Sequence, residues 1–477
     1  RDTRKGITAN HIESANDFLE HGVKQIITKT FKIERLIDNE RDKNEEDKSI
    51  DTIFISVDVY NIKLAKPKTI HYASSREEIL TPKIALFEDK TYASALHADI
   101  KVHATARLHD GGEIKRVDEV KDILLAHIPI MVKSKLCNLH NKSKDTLTRI
   151  EEDPDDCGGY FIVKGVEWVV NNTESSVYNK PKNFINLGHK NEVVRSEMIS
   201  KPGDLYENSA QLIVKRLKDD QIVITIDSSR SSFKNINIPF FLLLRLLGMS
   251  SDKQMIDWIV YDYKSSTSRK IMPILNTAFM VEYLGFPEAN TIHDRTSILT
   301  KLLDSMDDSY GYMDQTNKKT KNFIFQRIME TIDQVLLPHI GTTPEFRYLK
   351  AIFITHIVRK LLLVNLGILP PTDRDSLKDK RAHSAGVSNA KAFKQQYNFT
   401  IVQPIKKQAL KYFKNMSFSR VDLKQLIKSA INSVDADRAL TQSITTGTKQ
   451  QIVMKSGIRM TNRLSSQQYH RKNQMNC

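Results

Sequence analysis

The stretch that decides the fold of this chain reads Asp156-Cys-Gly-Gly-Tyr-Phe-Ile-Val-Lys-Gly-Val-Glu-Trp-Val-Val170. Its adjacent glycines permit a positive φ or a close backbone approach, and the run that follows them is aromatic and β-branched. Gly165 favours a reversal of direction before the second apolar run. The pattern predicts a tight β-hairpin that is buried on one side. Such a hairpin is usually scaffold and indicates no chemistry by itself.

The length of 477 residues is too great for one compact core, so two to four domains are expected. Hydrophobic residues make up 40% of the chain and charged residues 27%, as in soluble globular proteins. The best candidate for a membrane span, residues 239–248, is short and contains Arg245, and no secretory signal begins the chain. Because the chain starts at Arg1 rather than at a methionine, a fragment or a processed piece is expected.

The cysteines and the acidic residues suggest no metal site. Cys137, Cys157 and Cys477 lie far apart and form no C-x-x-C pair, which argues against a disulfide framework and a zinc site. This spacing favours a reducing intracellular compartment. The acidic run at residues 151–156 has a spacing that fits no cation site, so a solvated turn is expected there.

Positive charge is concentrated near the C-terminus. The chain has 72 Lys and Arg against 57 Asp and Glu, a net charge of +15. Residues 371–477 contain 20 Lys and Arg against 6 Asp and no Glu, so they carry +14 of that net charge. Many cations with few acids are typical of a surface that holds a phosphate backbone, and a solvated lysine-rich surface is the alternative.

Hydrophobic periodicity predicts the elements of the first half of the chain. A helix or helix pair is predicted over residues 12–33. Alternating apolar residues predict strands over residues 53–59 and 96–102, with a hairpin turn at residues 110–112. A further hairpin is predicted around residues 219–220.

Three helices are predicted in the region that follows. Pro239 suits the first turn of one helix, and Ser251 can cap the next. A third helix is expected to end at Gly367. Its predicted core stripe, with spacings of three and four residues, contains Leu349, Phe353, Ile357, Leu361 and Val364.

Two segments in fixed order resemble a known family. Residues 128–137 read Ile-Pro-Ile-Met-Val-Lys-Ser-Lys-Leu-Cys, and residues 158–167 read Gly-Gly-Tyr-Phe-Ile-Val-Lys-Gly-Val-Glu. Together they resemble the paired signature of the second-largest (β-like) subunit of multisubunit DNA-directed RNA polymerase, of the archaeal, eukaryotic or large-DNA-virus type. Further collinear matches lie in residues 11–19, 80–96, 238–259 and 334–339.

The resemblance implies an α+β, multidomain fold with mixed sheets and helices, equivalent to the N-terminal portion of that subunit. It implies the first part of a protrusion domain at residues 1–180 and a lobe at residues 181–350. The second part of the protrusion would occupy residues 351–425. The start of a fork, incomplete here, would occupy residues 426–477.

The principal candidate site is a polar loop, residues 372–381, which reads Thr-Asp-Arg-Asp-Ser-Leu-Lys-Asp-Lys-Arg. Its alternating charges are as typical of a salt-bridged surface as of a binding site. It resembles the family motif DDRDH-x-x-NKR, which touches nucleic acid beside the active-centre cleft. The resemblance implies that Lys380 and Arg381 contact phosphate or base and that Arg374 and Asp375 position them.

Two more basic segments are candidates for contact with nucleic acid. Residues 455–463 resemble the start of the family's fork, which adds Arg459 and Arg463 to the candidate contacts. Four lysines within residues 406–414 recur at helical spacing. They predict a basic amphipathic helix that faces either nucleic acid or water.

The reaction implied by the resemblance is nucleotidyl transfer from a nucleoside triphosphate to the RNA 3′ end by a two-metal mechanism. The family's catalytic aspartates lie in the largest subunit, so this piece is expected to hold no catalytic residue and no cofactor and to be inactive alone. Mg²⁺ is expected in the assembled enzyme through the largest subunit. The expected partners are the largest and other polymerase subunits, the remainder of the same subunit, the DNA template and RNA, but no membrane.

The role implied is that of one wall of the DNA cleft, in contact with template or downstream DNA or with the RNA–DNA hybrid. The location implied is intracellular, either the nucleus or, for a viral protein, the cytoplasm or virion. One alternative is a non-enzymatic nucleic-acid-binding scaffold derived from a polymerase subunit. Another is a structural or interaction protein with a basic tail.

Overall fold

Helices and small antiparallel sheets both occur throughout the computed structural model, which confirms the α+β class. The structure describes residues 4–29, 31–36, 50–70, 77–108, 110–170, 172–185, 191–203, 206–207, 209–227, 237–286, 292–304, 318–415, 418–431, 433–445 and 469–471. The chain divides into unit 1, with Arg1–Glu174 and Ala382–Cys477, and unit 2, with Ser175–Arg381. The assignment of protrusion, lobe and fork to ranges stays a prediction.

The three longest strands, of 15 to 17 residues, lie in unit 1. In chain order they are β1 (Phe31–Leu36), β2 (Ile50–Leu64), β3 (Lys68–Ile70), β4 (Glu77–Ile79), β5 (Ala93–Leu108), β6 (Glu113–Pro129), β7 (Tyr160–Val163), β8 (Val166–Val170), β9 (Thr173–Ser176), β10 (Lys182–Ile185), β11 (Glu192–Ser200), β12 (Ala210–Leu217), β13 (Ile222–Asp227), β14 (Asn237–Pro239), β15 (Lys380–His383) and β16 (Tyr469–Arg471). Unit 1 contains an antiparallel sheet in the order β1-β2-β5-β6, a sheet in the order β16-β8-β7 and the pair β3-β4. Unit 2 contains an antiparallel sheet in the order β10-β11-β12-β13-β14.

The helices make up most of the remaining described structure. In chain order they are α1 (Arg4–Asp17), α2 (Val23–Ile27), α3 (Pro82–Phe87), α4 (Lys144–Arg149), α5 (Phe240–Leu246), α6 (Asp252–Val260), α7 (Ser266–Tyr283), α8 (Arg295–Asp304), α9 (Lys318–Val335), α10 (Arg347–Asn365), α11 (Ala385–Tyr397), α12 (Gln403–Asn415), α13 (Leu423–Ala430) and α14 (Ser433–Thr445). Two π-helical turns, Phe18–Gly22 and Asn398–Val402, join α1 to α2 and α11 to α12. Short 3₁₀ turns cover Pro344–Phe346 and Leu377–Asp379.

The predicted hairpin is confirmed by β7 and β8, which pair antiparallel around a two-residue turn at residues 164–165. Both turn residues have a positive φ, 49° and 69°, as a tight hairpin turn of this hand requires. All four residues of β7 are buried. Gly158 has a φ of +68°, and a Cβ there would lie 2.7 Å from the carbonyl oxygen of Val132. The glycine therefore allows both the conformation and the close approach.

The other expectations for the first half of the chain are largely confirmed. Residues 53–59 lie in β2 and residues 96–102 in β5, and the turn at residues 110–112 joins β5 to β6. The helix predicted over residues 12–33 is wrong at both ends, because helical backbone runs from Arg4 to Ile27 and β1 begins at Phe31. Phe31 and Ile33 pair with β2, so burial in a sheet overrides the helical spacing there.

The elements predicted for the start of unit 2 are also present. β12 and β13 form the hairpin around residues 219–220, where Asp220 has a φ of 66°. Pro239 is the N-cap of α5 rather than part of its first turn. Ser251 is the N-cap of α6, as predicted, but its side chain makes no capping hydrogen bond.

The predicted stripe on α10 is only partly right. Ile357, Leu361 and Val364 are buried, but Leu349 is 51% exposed. α10 is buried on a wider face than one stripe, because it contacts two groups of apolar residues. Ile354, Ile357, Val358 and Leu362 join the main core cluster of unit 2, whereas Leu361 and Val364 pack with Val194 of β11. The helix ends as predicted at Gly367, which has a φ of 71°.

Candidate nucleic-acid interface

The candidate loop, residues 372–381, lies within unit 2 and follows α10. Its first residue, Thr372, joins the edge of the five-stranded sheet at β10. The Thr372 backbone N–H donates to the carbonyl oxygen of Asn183 over 2.8 Å, and the Thr372 hydroxyl accepts the N–H of Asn183 over 3.0 Å. These two hydrogen bonds fix the place where the charged part of the loop leaves the sheet.

Arg374 contacts both an aromatic ring and a carboxylate. Its guanidinium carbon lies 4.3 Å from the centroid of the Phe184 ring, and its Nη2 lies 3.5 Å from Oε1 of Glu197. Phe184 is buried, whereas 54% of the Arg374 side chain stays exposed. A cation over an aromatic face gains about 0.5–1 kcal/mol at an exposed site. Arg374 therefore presents an oriented positive charge to solvent.

Glu197 belongs to a row of alternating charges on β11 and β12. Arg195 Nε lies 2.8 Å from Glu197 Oε1, and Arg195 Nη1 lies 3.4 Å from Glu192 Oε2. Lys215 continues the row, with its Nζ 3.0 Å from Glu192 Oε1. Arg195, Lys215 and Glu192 have little exposed side-chain surface, so water screens these pairs weakly. The row holds Glu197 in position for Arg374.

A second carboxylate, that of Asp379, is buried near the end of the loop. Lys180 Nζ donates to Asp379 Oδ1 over 2.5 Å, and Lys182 Nζ donates to the Asp379 carbonyl oxygen over 2.8 Å. The hydrogen bond from Lys180 lowers the pKa of Asp379, which keeps the carboxyl ionised. Burial lowers the pKa of Lys182, while the charges of Asp379 and Glu197 raise it and that of Arg374 lowers it. The hydrogen bond from Lys182 to the Asp379 backbone therefore attaches the end of the loop to β10.

The ring of Tyr178 contacts two cations. The guanidinium carbon of Arg381 lies 5.1 Å from the ring centroid, and Nζ of Lys201 lies 4.8 Å from it. Asn179, with a φ of 61°, exchanges two hydrogen bonds of 2.8 Å with the backbone of Lys201 and so fixes that residue beside the ring. Burial raises the pKa of Tyr178, so the phenol stays neutral near physiological pH.

These side chains form one group, partly buried and partly exposed, that we call the arginine–aromatic cluster. Its members are Tyr178, Lys180, Lys182, Phe184, Glu197, Lys201, Arg374, Asp379 and Arg381. Five of them are cations and two are carboxylates, so the cluster attracts an anion. The planar guanidinium groups can also donate two parallel hydrogen bonds to one phosphate.

The structure describes four of the six residues predicted to contact nucleic acid. Arg374 and Arg381 are exposed members of the cluster. Lys380, which lies between them in the sequence, is half-buried. Asp375 is exposed, and its backbone N–H donates over 2.9 Å to a side-chain oxygen of Asp373 in the same loop. Their roles at nucleic acid stay predictions.

Other members of the site were not found from the sequence. Lys180, Lys182 and Tyr178 were not predicted. The two remaining predicted residues, Arg459 and Arg463, lie outside the described residues. The alternation of Lys182 with Phe184 on β10 was the available signal, because residues two apart on a strand share a face. Nothing in the sequence places that face beside a loop almost two hundred residues later.

The predicted basic helix is confirmed as α12. Lys407 and Lys411 are exposed and Lys406 is half-buried, whereas Ile405, Ala409 and Phe413 are buried. The helix is therefore amphipathic, with lysines on its solvent side.

Clusters of metal-binding side chains and membrane-spanning helices are both absent from the described part of the chain. In that part, no group of three or more His, Cys, Asp or Glu residues could hold a metal ion. Over the same residues, no helix combines the length and the apolar character needed to cross a membrane.

Comparisons with known proteins agree with each other. The family model for the RNA polymerase beta subunit matches residues 6–434. DNA-directed RNA polymerase II subunit 2 of Arabidopsis thaliana is 24% identical over 392 residues, which cover 80% of this chain and 31% of the relative. DNA-directed RNA polymerase subunit Rpo2N of Methanothermobacter thermautotrophicus is 26% identical over 401 residues, covering 79% of this chain and 66% of the relative.

A third relative is also archaeal. DNA-directed RNA polymerase subunit Rpo2 of Sulfolobus acidocaldarius is 26% identical over 389 residues, which cover 80% of this chain and 29% of the relative. The chain thus spans between 29% and 66% of the length of these three relatives.

Proposed function

This chain belongs to the RNA polymerase beta subunit family, and we propose that it is the N-terminal portion of the second-largest subunit of a DNA-directed RNA polymerase. The names of its relatives, subunit 2 of RNA polymerase II, Rpo2N and Rpo2, support the proposal. The chain spans only part of each relative, so the activity proposed belongs to an assembly in which this chain is one component.

The proposed role is that of one wall of the DNA cleft, in contact with template or downstream DNA or with the RNA–DNA hybrid. The arginine–aromatic cluster carries this proposal. It exposes two guanidinium groups, those of Arg374 and Arg381, each beside an aromatic ring of unit 2. Both arginines lie in the loop that matches the family's nucleic-acid-contacting motif.

Phosphate is the ligand that these side chains suit best. Stacking on Phe184 and Tyr178 restricts each guanidinium group before any ligand arrives, which reduces the entropy lost on binding. Guanidinium groups pair well with phosphate oxygens, so we expect the contacts to position the nucleic acid rather than to read its sequence.

The proposed reaction of the assembly is nucleotidyl transfer to the RNA 3′ end. Its catalytic aspartates and Mg²⁺ belong, on this proposal, to the largest subunit. The residues of this chain bind and orient nucleic acid. We therefore expect the isolated chain to incorporate no nucleotide, and we expect activity to require the largest subunit and the remainder of this one.

The salt dependence of binding tests the role of the cluster. We would measure the affinity of the full chain for a DNA duplex of about 20 base pairs between about 50 and 200 mM salt. Log K falls as log salt rises, and each phosphate contact makes this slope steeper by about one. The double variant Arg374→Ala/Arg381→Ala should lower the slope by about two. Arg269→Ala removes an exposed arginine on α7 and should leave the slope unchanged.

An unchanged slope in the double variant would show that Arg374 and Arg381 make no phosphate contacts. Assembly is tested separately by co-expression with a largest subunit and the remainder of the second-largest subunit. Co-purification of the three chains supports a polymerase component. Salt-dependent binding without co-purification would instead support the nucleic-acid-binding scaffold.

A further inference from the structure

One surface of unit 1 combines positive charge with exposed apolar side chains. It lies on α11, the π-helical turn Asn398–Val402 and α12. Residues 382–421, which include these elements, contain seven Lys and Arg and neither Asp nor Glu. A solvated helical surface usually mixes both signs of charge, since opposite charges four residues apart stabilise a helix. The complete lack of acidic residues over this length therefore needs an explanation.

Burial identifies the side of α12 that faces solvent. Ile401, Ile405, Ala409 and Phe413 are buried, four residues apart. The exposed residues recur between them with spacings of three and four, and such a set lies along one side of a helix. This set, which we call the α12 face, contains Phe399, Gln403, Lys407, Leu410 and Lys411.

The α12 face exposes two large apolar side chains. Phe399 is 59% exposed and Leu410 is 43% exposed. Phe399 lies in the π-helical turn. This geometry is rare in proteins as a whole, but where it occurs it is often at a functional site. Eleven residues separate the two side chains, which corresponds to about 16 Å, or three turns, along a helix. Between and beside them lie Lys407 and Lys411, and neither ammonium group has a carboxylate partner among the described residues.

We infer that the α12 face binds an acidic amphipathic segment of a partner protein. Apolar side chains of that segment, about three turns apart if it is helical, would pack on Phe399 and Leu410. Its carboxylates would pair with Lys407 and Lys411. An amphipathic helix in this arrangement is a recurring mode of recognition, in which apolar anchors give affinity and flanking charges select the partner.

The apolar residues favour a protein over nucleic acid. A phosphate backbone would satisfy Lys407 and Lys411 but would leave Leu410 in water. A base could stack on Phe399, yet an aliphatic side chain offers no comparable platform. An acidic segment with apolar anchors satisfies all four side chains at once.

The test uses the full chain and a defined peptide. The probe is a fluorescent helical peptide with two leucines eleven residues apart on one side and glutamates around them, and its binding is followed by anisotropy. Lys407→Glu/Lys411→Glu should weaken binding at least tenfold. Phe399→Ser/Leu410→Ser should weaken it by about the same factor, since each anchor loses apolar contact.

Matched controls exclude a general effect of charge or of surface hydrophobicity. Phe87→Ser/Lys121→Glu alters an aromatic residue that is 79% exposed and an exposed lysine elsewhere in unit 1, and it should leave binding unchanged. A second peptide has serines in place of the two leucines. It should bind the wild-type chain weakly, with about the affinity that the original peptide has for the Phe399→Ser/Leu410→Ser variant. Circular dichroism of each variant verifies that the helices persist.

Two outcomes would overturn the inference. If a DNA duplex binds and charge reversal weakens it, while the peptide does not bind, the α12 face is a nucleic-acid surface. If the peptide binds equally well to the wild type and to both α12 variants, or if neither probe binds, the face has no partner of the proposed chemistry. Loss of peptide binding in both α12 variants, with the control variant unchanged, supports it.

Discussion

At the scale of single residues, the most unusual ionisable group is the carboxyl of Glu282 on α7. It is only 3% exposed, and it accepts the backbone N–H of Phe241 over 3.0 Å and that of Leu242 over 3.3 Å at the start of α5. Burial raises the pKa of Glu282 to about 8, although these hydrogen bonds favour the charged form. The cost of burying the charged carboxylate therefore outweighs the stabilisation that it gains from the N–H groups at the start of α5.

Replacing Glu282 with Gln should change how stability depends on pH. A carboxyl whose pKa is about 8 when folded and 4.5 when unfolded binds more protons in the folded state, so wild-type stability falls as pH rises between these values. Glu282→Gln keeps an acceptor for the N–H groups but does not titrate. Urea denaturation across this range should show the variant gaining on the wild type by up to about 1.4 kcal/mol per pH unit. Glu345→Gln, at an exposed site, should show no such trend.

At the scale of elements, Gly158 shows how one glycine can fix the path of the chain just before β7. Gly158→Ala would require a positive φ of a residue with a Cβ and would press that atom against the Val132 carbonyl oxygen. We expect a loss of more than about 2 kcal/mol in the free energy of unfolding. Gly111→Ala is the matched control, because Gly111 has a φ of +88° but no atom within 4 Å of an added Cβ. Equal losses in the two variants would show that the close approach is unimportant.

A histidine attaches α14 to β6 in unit 1. His127 Nδ1 lies 2.6 Å from Asp437 Oδ2, and this hydrogen bond raises the pKa of His127. The stabilisation is therefore complete at acidic pH and is lost as the pH rises through the folded-state pKa of the histidine.

Asp437→Asn should remove most of that pKa shift. An NMR titration of His127 should then show a pKa at or below its ordinary value, because burial alone lowers it. The cost in stability should be about 0.2–1 kcal/mol below the unfolded-state pKa and smaller at alkaline pH, because both side chains are partly exposed. A cost that does not vary with pH would contradict an ionic role for the pair.

Elements defined by local pattern were predictable from the sequence, and those defined by distant contacts were not. The β7–β8 hairpin follows from glycine positions and β-branched residues within fifteen positions of each other. The stripe on α10 was misjudged because its burial depends on two groups of partners, one of them Val194 of a distant strand. Six of the nine members of the candidate site were likewise not predicted, since their segments meet residues 372–381 only in the folded chain.

At the scale of the whole molecule, the two units differ in continuity. Unit 2 is one stretch, Ser175–Arg381, and its main core cluster draws all its members from within that stretch. Unit 1 needs both ends of its chain, because Gly386 of α11 packs so closely on α1 that a Cβ would lie 1.8 Å from the Ser14 carbonyl oxygen.

Excision should reveal this difference. Residues 175–381 expressed alone should give a helical circular dichroism spectrum and a cooperative thermal transition. Residues 1–174 alone lack α11 and α14 and should unfold without a sharp transition. Cooperative unfolding of residues 1–174, or its absence in residues 175–381, would contradict the division.

The attachment of Thr372 to β10 also has a consequence for aggregation. β10 is the terminal strand of its sheet, and the open edge of a sheet is a template on which a second chain can extend the ladder. The outward-facing N–H and C=O of Asn183 are already paired with Thr372. The connection that orients the charged loop therefore also removes two backbone groups on this edge from pairing with a second chain.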